Sequence, residues 1–126
     1  MGLMLFPEDG DEDSPDVSWS WTGFGMFRTW LARAEGFALD EMRGFGGQRP
    51  WTEVSTTLAP LLDHPDDHGH LTSAECAAIL PRLGEIAEQP RKDPADPVTE
   101  RRVADVQELV AVLRHCVDRD VSLVFG

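Results

Sequence analysis

Hydrophobic residues recur at three- and four-residue intervals in four segments of the chain, which is the spacing of helices with one buried face. These segments predict helices over residues 18–34, 51–62, 71–87 and 98–118. Residues 39–42 are expected to add one further helical turn. The helical pattern therefore covers most of the chain.

Two short apolar segments, residues 3–6 and 121–125, predict strands near the two ends of the chain. We expect these two strands to pair with each other. The predicted fold class is therefore mostly α, with a four-helix body and a short two-stranded β ribbon formed by the N- and C-terminal strands. Residues 1–126 are expected to form a single domain, because a chain of this length buries roughly two-thirds of its extended surface in one core.

Proline residues mark the expected interruptions of the helices. Pro60 falls near the end of the second predicted helix, and Pro81 falls inside the third, where it predicts a kink or a break. Residues 89–97 contain three prolines and are interpreted as a linker between the last two helices.

The charge balance restricts the class of partner. The chain has 11 basic and 23 acidic residues, a formal net charge of −12, and six of the acidic residues lie in an acidic loop over residues 8–17. This balance argues against nucleic acid or an anionic membrane as the main partner, because both need a basic face. It is compatible with a cation or a basic protein partner. Without a secretory signal or a membrane-span pattern, the sequence predicts a cytoplasmic protein.

Aromatic and acidic residues near the N-terminus are candidates for binding a partner. Four tryptophans are many for so short a chain. Each of them either completes the core or remains exposed as an anchor of an interface. The predicted partner-binding residues are Trp19, Trp21, Asp11, Glu12 and Asp13.

The segment between the second and third predicted helices resembles the calcium loop of the EF-hand family. That loop has oxygen ligands at positions 1, 3, 5, 7, 9 and 12, with glycine at position 6 and an apolar residue at position 8. With Gly69 at position 6, Leu71 falls at position 8. The resemblance then implies these metal ligands: His64, Asp66, His68, the carbonyl of His70, Thr72 and Glu75.

Three alternatives remain open for this loop. Calcium is the ion that the resemblance implies, but His64 and His68 replace the oxygen ligands that calcium prefers. Imidazole suits a transition metal, which makes zinc the second choice. In the third alternative no metal binds, because Thr72 and Glu75 have the spacing of a capping box and satisfy each other's backbone amides.

The whole chain also resembles a group of small, functionally uncharacterised actinobacterial proteins. The resemblance is carried by Trp19-Ser20, Phe24 and Phe27-Arg28, a Gly-Phe-Gly turn, and a Leu-Thr-x-x-Glu-Cys segment ending at Cys76. It implies no activity.

The sequence thus favours a small acidic cytoplasmic protein with a binding or regulatory role and an EF-hand-like loop that is a candidate site for a divalent cation, with no metal equally plausible. The alternative is an interaction module of the inhibitor, immunity or adaptor type, which binds a basic partner without metal. A third hypothesis is an enzyme that uses Cys76 with a nearby histidine. We favour binding over catalysis, because Cys76 falls on the inward stripe of its helix.

Overall fold

The computed structural model describes residues 2–64, 69–88 and 97–126. Its helices are α1 (Trp21–Ala34), α2 (Ala59–Leu62), α3 (Ser73–Glu88) and α4 (Pro97–Arg119). Its strands are β1 (Gly2–Pro7), β2 (Val17–Ser20), β3 (His70–Leu71) and β4 (Leu123–Phe125). Two short 3-10 turns, Leu39–Glu41 and Trp51–Glu53, lie between α1 and α2. The predicted linker over residues 89–97 lies outside the described residues except for Pro97, where α4 begins.

The four strands form one antiparallel sheet in the order β2-β1-β4-β3. The prediction of a mostly α fold with a two-stranded ribbon is therefore wrong, and the fold is a mixture of helices and sheet. β1 and β4 do pair, with Leu5 opposite Phe125, but they form the centre of the sheet. The two strands that the sequence analysis missed, β2 and β3, form its edges.

β2 occupies residues that the periodicity had assigned to the first helix. Val17 and Trp19 are buried while Ser18 and Ser20 are exposed, which is the two-residue alternation of a strand with one face on the core. α1 begins only at Trp21, where the hydroxyl of Ser20 accepts the backbone N–H of Gly23 at 2.9 Å. Ser20 is therefore the N-cap, and the helix cannot extend further towards the N-terminus.

The helix predicted over residues 51–62 is reduced to a 3-10 turn and the four residues of α2. Pro60 stands in the first turn of α2 rather than near the end of a longer helix. Proline has no backbone N–H, and it disfavours a helical conformation in the residue before it. A helix that runs into Pro60 from the N-terminal side is therefore disfavoured, whereas one that begins beside it is not.

α3 and α4 pack against each other along their apolar faces. α3 contributes Cys76, Ile79, Leu83 and Ile86, and α4 contributes Val106, Leu109, Leu113 and Cys116. Pro81 lies on the exposed side of α3, and the helix continues past it without the predicted break. No helix within the described ranges has both the length and the apolar composition needed to cross a bilayer.

The inner face of the sheet completes the core. Leu3, Leu5, Trp19, Leu123 and Phe125 are all buried there against the helices. Phe125 makes contacts in two directions, with its ring edge-on to Phe24 of α1 at 6.3 Å and stacked on the ring of His64 at 3.9 Å. The C-terminal strand thus joins the helical body to the segment that follows α2.

Truncating Phe125 should be among the most destabilising single changes in the chain. Phe125→Ala removes a ring that is 2% exposed, and we expect a loss of about 3–5 kcal/mol in the free energy of unfolding. Val124→Ala is the control, because Val124 is half-buried on the opposite face of the same strand, and it should cost about 1 kcal/mol. Urea denaturation measures both values, and equal losses would show that Phe125 has no special position.

Candidate functional site

The predicted metal loop lies between α2 and α3, and the structure describes four of its six candidate ligands. His64, His70, Thr72 and Glu75 belong to the described residues, whereas Asp66 and His68 lie outside them. Gly69 has a φ of +96°, a left-handed conformation that favours glycine. His70 and Leu71 form the short strand β3. The glycine turn, the short strand β3 and α3 follow one another along the chain, and the EF-hand resemblance stays a prediction.

Thr72 and Glu75 form the capping box that their spacing predicts. The backbone N–H of Thr72 donates to Glu75 Oε1 at 3.0 Å, and the N–H of Glu75 donates to Thr72 Oγ1 at 3.2 Å. Each side chain therefore satisfies an amide at the start of α3 that has no partner within the helix. Two of the predicted ligands are thus used to begin a helix.

His64 holds the two ends of the loop together. Its Nε2 lies 3.1 Å from the carbonyl oxygen of His70, a distance at which the imidazole N–H donates a hydrogen bond. The N–H of Phe125 donates to the carbonyl of Gly69 at 3.0 Å, which attaches the loop to the sheet. The resemblance implies the His70 carbonyl as the metal ligand at position 7. This carbonyl is instead hydrogen-bonded to the side chain of His64, the predicted ligand at position 1.

Arg28 is a buried residue that the sequence analysis did not single out. Its Nη1 donates to the carbonyls of Leu62 at 3.3 Å and of His64 at 2.6 Å, which ties α1 to the beginning of the loop. The guanidinium lies 4.6 Å from the ring centroid of Phe24. A signal was available, since Arg28 stands within the apolar stripe of α1, where a basic residue needs specific partners.

The electrostatics around the loop are mixed. Burial raises the pKa of the Asp63 carboxyl, while the charge of Arg28 acts in the opposite direction. The positive charge of the Arg28 guanidinium, which is fixed beside the loop, repels a metal cation that enters the loop. Within the described ranges, no three His, Cys, Asp or Glu side chains come together in a way that could hold a metal ion.

The predicted partner-binding residues divide between core and surface. Trp19 is 9% exposed and stacks on Phe27 at 5.0 Å, so of the two possibilities left open for the tryptophans it takes the core one. Trp21 is 48% exposed. Asp11, Glu12 and Asp13 are exposed in the loop between β1 and β2. Binding of a basic partner by this loop stays a prediction.

The acidic loop is anchored by one of its own carboxylates. Asp9 Oδ2 accepts a hydrogen bond from the Ser14 hydroxyl at 2.6 Å and lies 2.9 Å from His115 Nε2 on α4. Asp9 Oδ1 accepts the N–H of Asp11 at 3.0 Å. These contacts, with Ser14 and then His115 foremost, hold the pKa of the Asp9 carboxyl far below its usual range. Asp9 is thus a structural residue of the loop.

The two cysteines are neighbouring buried thiols on α3 and α4. The hydrogen bond to Cys116, together with burial, raises the pKa of the Cys76 thiol. A nucleophilic cysteine needs a lowered pKa and access to its substrate. Cys76 is buried and its pKa is raised, so these contacts give the Cys–His enzyme hypothesis no support, and it stays a prediction.

A groove of about 940 Å³ runs along one face of α1. We call it the α1 groove. Its walls are formed by α1, by the loops around residues 39–45 and 63–64, and by the first turns of α4. The residues that line it include Thr22, Gly25, Met26, Thr29, Trp30, Arg33, Leu39, Phe45, Val98 and Arg102. No sequence motif marks it, because it forms only where these separate segments meet.

Most of the surface of the α1 groove is apolar, although five of the fifteen residues that line it are arginines or aspartates. Met26 and Val98 are 56% and 58% exposed, which places two of the four most exposed large hydrophobic side chains among the described residues in its walls. Arg28, Arg33 and Arg102 line the groove together with Asp40 and Asp63. The groove therefore combines apolar surface with a small excess of basic side chains.

No protein-family model, curated protein or solved structure matches this chain. The comparisons therefore neither support nor refute the EF-hand resemblance. Inferences about function rest on the residues and contacts described above.

Replacing Asp9 with asparagine should change how stability depends on pH. A carboxyl whose pKa is lowered in the folded state stabilises the protein above its unfolded pKa of about 4, and this contribution is lost as the pH falls through the folded value. Asp9→Asn should therefore be less stable than the wild type near neutral pH, and the difference should shrink below about pH 4. Thermal unfolding across this pH range measures it.

Asp13→Asn is the matched control for this experiment. Asp13 lies in the same loop and is exposed, and its carboxylate accepts no hydrogen bond from a described residue. The thermal stability of Asp13→Asn should follow that of the wild type at every pH. A constant difference between Asp9→Asn and the wild type down to strongly acidic pH would contradict the role given to Asp9.

Proposed function

We propose that this chain is a small binding protein and that its ligand site is the α1 groove. The observation that carries the proposal is the groove itself, whose volume of about 940 Å³ lies within the range of about 300–1,000 Å³ that is typical of small-molecule sites. Its lining is mainly apolar with a few polar groups, which is also typical of such sites.

A glycine among the residues that line the groove supports this proposal. Gly25 lies inside α1, where glycine is less favourable than alanine by roughly 0.5–1 kcal/mol. A Cβ atom at this position would meet nothing within 4 Å, so packing in the free protein does not require glycine. A missing side chain lets a ligand approach the helix backbone closely.

The exposed apolar side chains give independent support. Met26 on α1 and Val98 on α4 both line the groove and are more than half exposed. Clustered exposed apolar groups are typical of binding surfaces, since exposing them to water is unfavourable. Binding is favoured over catalysis because both thiols are buried in the α3–α4 interface.

The compartment that we propose is the cytoplasm. Cys76 and Cys116 are free thiols rather than a disulfide, which supports a reducing compartment.

Filling part of the groove should weaken the binding of an apolar probe. The neutral dye N-phenyl-1-naphthylamine fluoresces more strongly in apolar surroundings, and we expect the wild-type protein to bind it saturably. Gly25→Leu should weaken this binding by at least about tenfold, because its side chain occupies the groove. The measurement is a fluorescence titration, with circular dichroism to verify that each variant folds.

Gly84→Leu is the control. Gly84 also lies inside a long helix, and a Cβ there also meets nothing within 4 Å, but it is not among the residues that line the groove. It should bind the dye like the wild type. The proposal is overturned if the wild type does not bind the dye, or if a folded Gly25→Leu variant binds it unchanged.

For the EF-hand-like loop we propose a structural role in supporting the α1 groove without calcium or zinc. The proposal is supported by the contacts in which Glu75, Thr72 and the His70 carbonyl are bonded to protein groups. It is also supported by the positions of Asp63 and His64, which line the groove beside Arg28.

Calorimetry on the metal-stripped protein tests this role. We expect no saturable heat with calcium or zinc at sub-millimolar concentration, because the described ligands already have protein partners and Arg28 opposes a further cation. A saturable calcium signal would restore the EF-hand expectation. A saturable zinc signal that is lost in His64→Ala would restore the histidine-based site.

A further inference from the structure

The charge inside the α1 groove differs in sign from that of the whole chain. The chain has a formal charge of −12, with 23 acidic and 11 basic residues. The groove lining has three arginines, at positions 28, 33 and 102, and two aspartates, at positions 40 and 63. Basic side chains are therefore concentrated in the groove, although they are in the minority elsewhere.

Two of these arginines have structural partners. Arg28 donates to the carbonyls that begin the EF-hand-like loop. Arg102 is buried and donates to Asp105 Oδ2 at 3.1 Å, one turn further along α4. Both side chains are held in place by the fold, so neither is the natural first contact of a ligand.

Arg33 is different, because it is exposed in the last turn of α1 and its side chain forms no hydrogen bond or ion pair with another described residue. The carboxylate of nearby Glu35 is already bonded to Arg82 at 2.8 Å. Asp40 lines the same groove as Arg33 without forming an ion pair with it. A helix C-terminus alone favours a basic residue, but it does not require one that faces a groove.

We infer that the ligand of the α1 groove is an amphipathic anion, an apolar body with one oxyanion such as a carboxylate, and that Arg33 binds the oxyanion. This inference rests on the proposed binding function and specifies its ligand class. The planar guanidinium of arginine matches an oxyanion with two parallel hydrogen bonds.

The geometry of α1 sets the approximate length of the ligand. Met26, Trp30 and Arg33 lie on the groove side of the helix, three or four residues apart. Met26 and Arg33 are separated by seven residues, which corresponds to about 10 Å along the helix axis at a rise of about 1.5 Å per residue. The apolar body therefore extends about 10 Å from the oxyanion, past Trp30 as far as Met26.

Two dyes with the same ring system test the inference. 8-Anilinonaphthalene-1-sulfonate is N-phenyl-1-naphthylamine with one added sulfonate, so the difference between their affinities isolates the oxyanion. We expect the wild type to bind the sulfonate dye more tightly than the neutral dye. Arg33→Gln should lower the affinity for the sulfonate dye by about tenfold and leave the affinity for the neutral dye unchanged. Gly25→Leu should lower the affinity for both dyes.

Arg101→Gln is the matched control, because it removes the same charge from an exposed position near the groove that is not part of its lining. It should bind both dyes like the wild type. Arg33→Lys should fall between the wild type and Arg33→Gln, since lysine keeps the charge but loses the planar pair of donors. Added salt should lower the affinity of the wild type for the sulfonate dye and have little effect on its affinity for the neutral dye.

The outcomes separate this inference from the function on which it rests. If neither dye binds, the proposed function itself is overturned. If the neutral dye binds and is blocked by Gly25→Leu, the binding function stands. The inference is then overturned if the sulfonate adds no affinity, if Arg33→Gln has no effect, or if Arg101→Gln has the same effect. The inference is also overturned if Gly25→Leu binds the sulfonate dye as tightly as the wild type does, because that dye then binds outside the α1 groove.

Discussion

The ring of Phe125 is the contact on which the arrangement of the other elements depends. It lies against Phe24 of α1 on one side and is stacked on His64 on the other, while its backbone lies opposite Leu5 of β1. Its N–H also holds the carbonyl of Gly69. The N-terminal hairpin, the first long helix and the helix–loop–helix segment therefore meet at one residue of β4. Aromatic contacts of this kind stabilise through buried area and through ring geometry.

The α1 groove exists because α1 is fixed relative to that shared core. Arg28 binds the carbonyls of Leu62 and His64, so the loop after α2 is held beside the helix at a set distance. The loop in turn is closed by its own hydrogen bond between His64 and His70. The groove walls are thus positioned by hydrogen bonds of two residues that themselves line the groove, Arg28 and His64. The ligand that we propose would meet a surface that needs little rearrangement, which would reduce the entropy lost on binding.

The sequence predicts the parts of this molecule that depend on local pattern. The periods of α3 and α4, the capping box at Thr72 and the turn at Gly69 all follow from neighbouring residues. β2 was missed because Trp19 and Trp21 fit a helical spacing as well as a strand, and β3 is too short to produce a period. The α1 groove was missed because its residues come from segments far apart in sequence. Only Arg28, a basic residue on an apolar stripe, gave a sign of it.

The pairing of the strands combines contacts between neighbouring segments with one contact between distant segments of the chain. β1 and β2 are joined by a short loop, and α3 pairs with its near neighbour α4, so both pairs form through contacts close in sequence. The central pairing of β1 with β4 instead closes almost the whole chain into one loop. Closing a long loop costs entropy before any contact compensates for it, and such contacts slow folding. We therefore expect the pairing of β1 with β2 to form early and the pairing of β1 with β4 to form late, so that this face of the core is shielded from water late in folding.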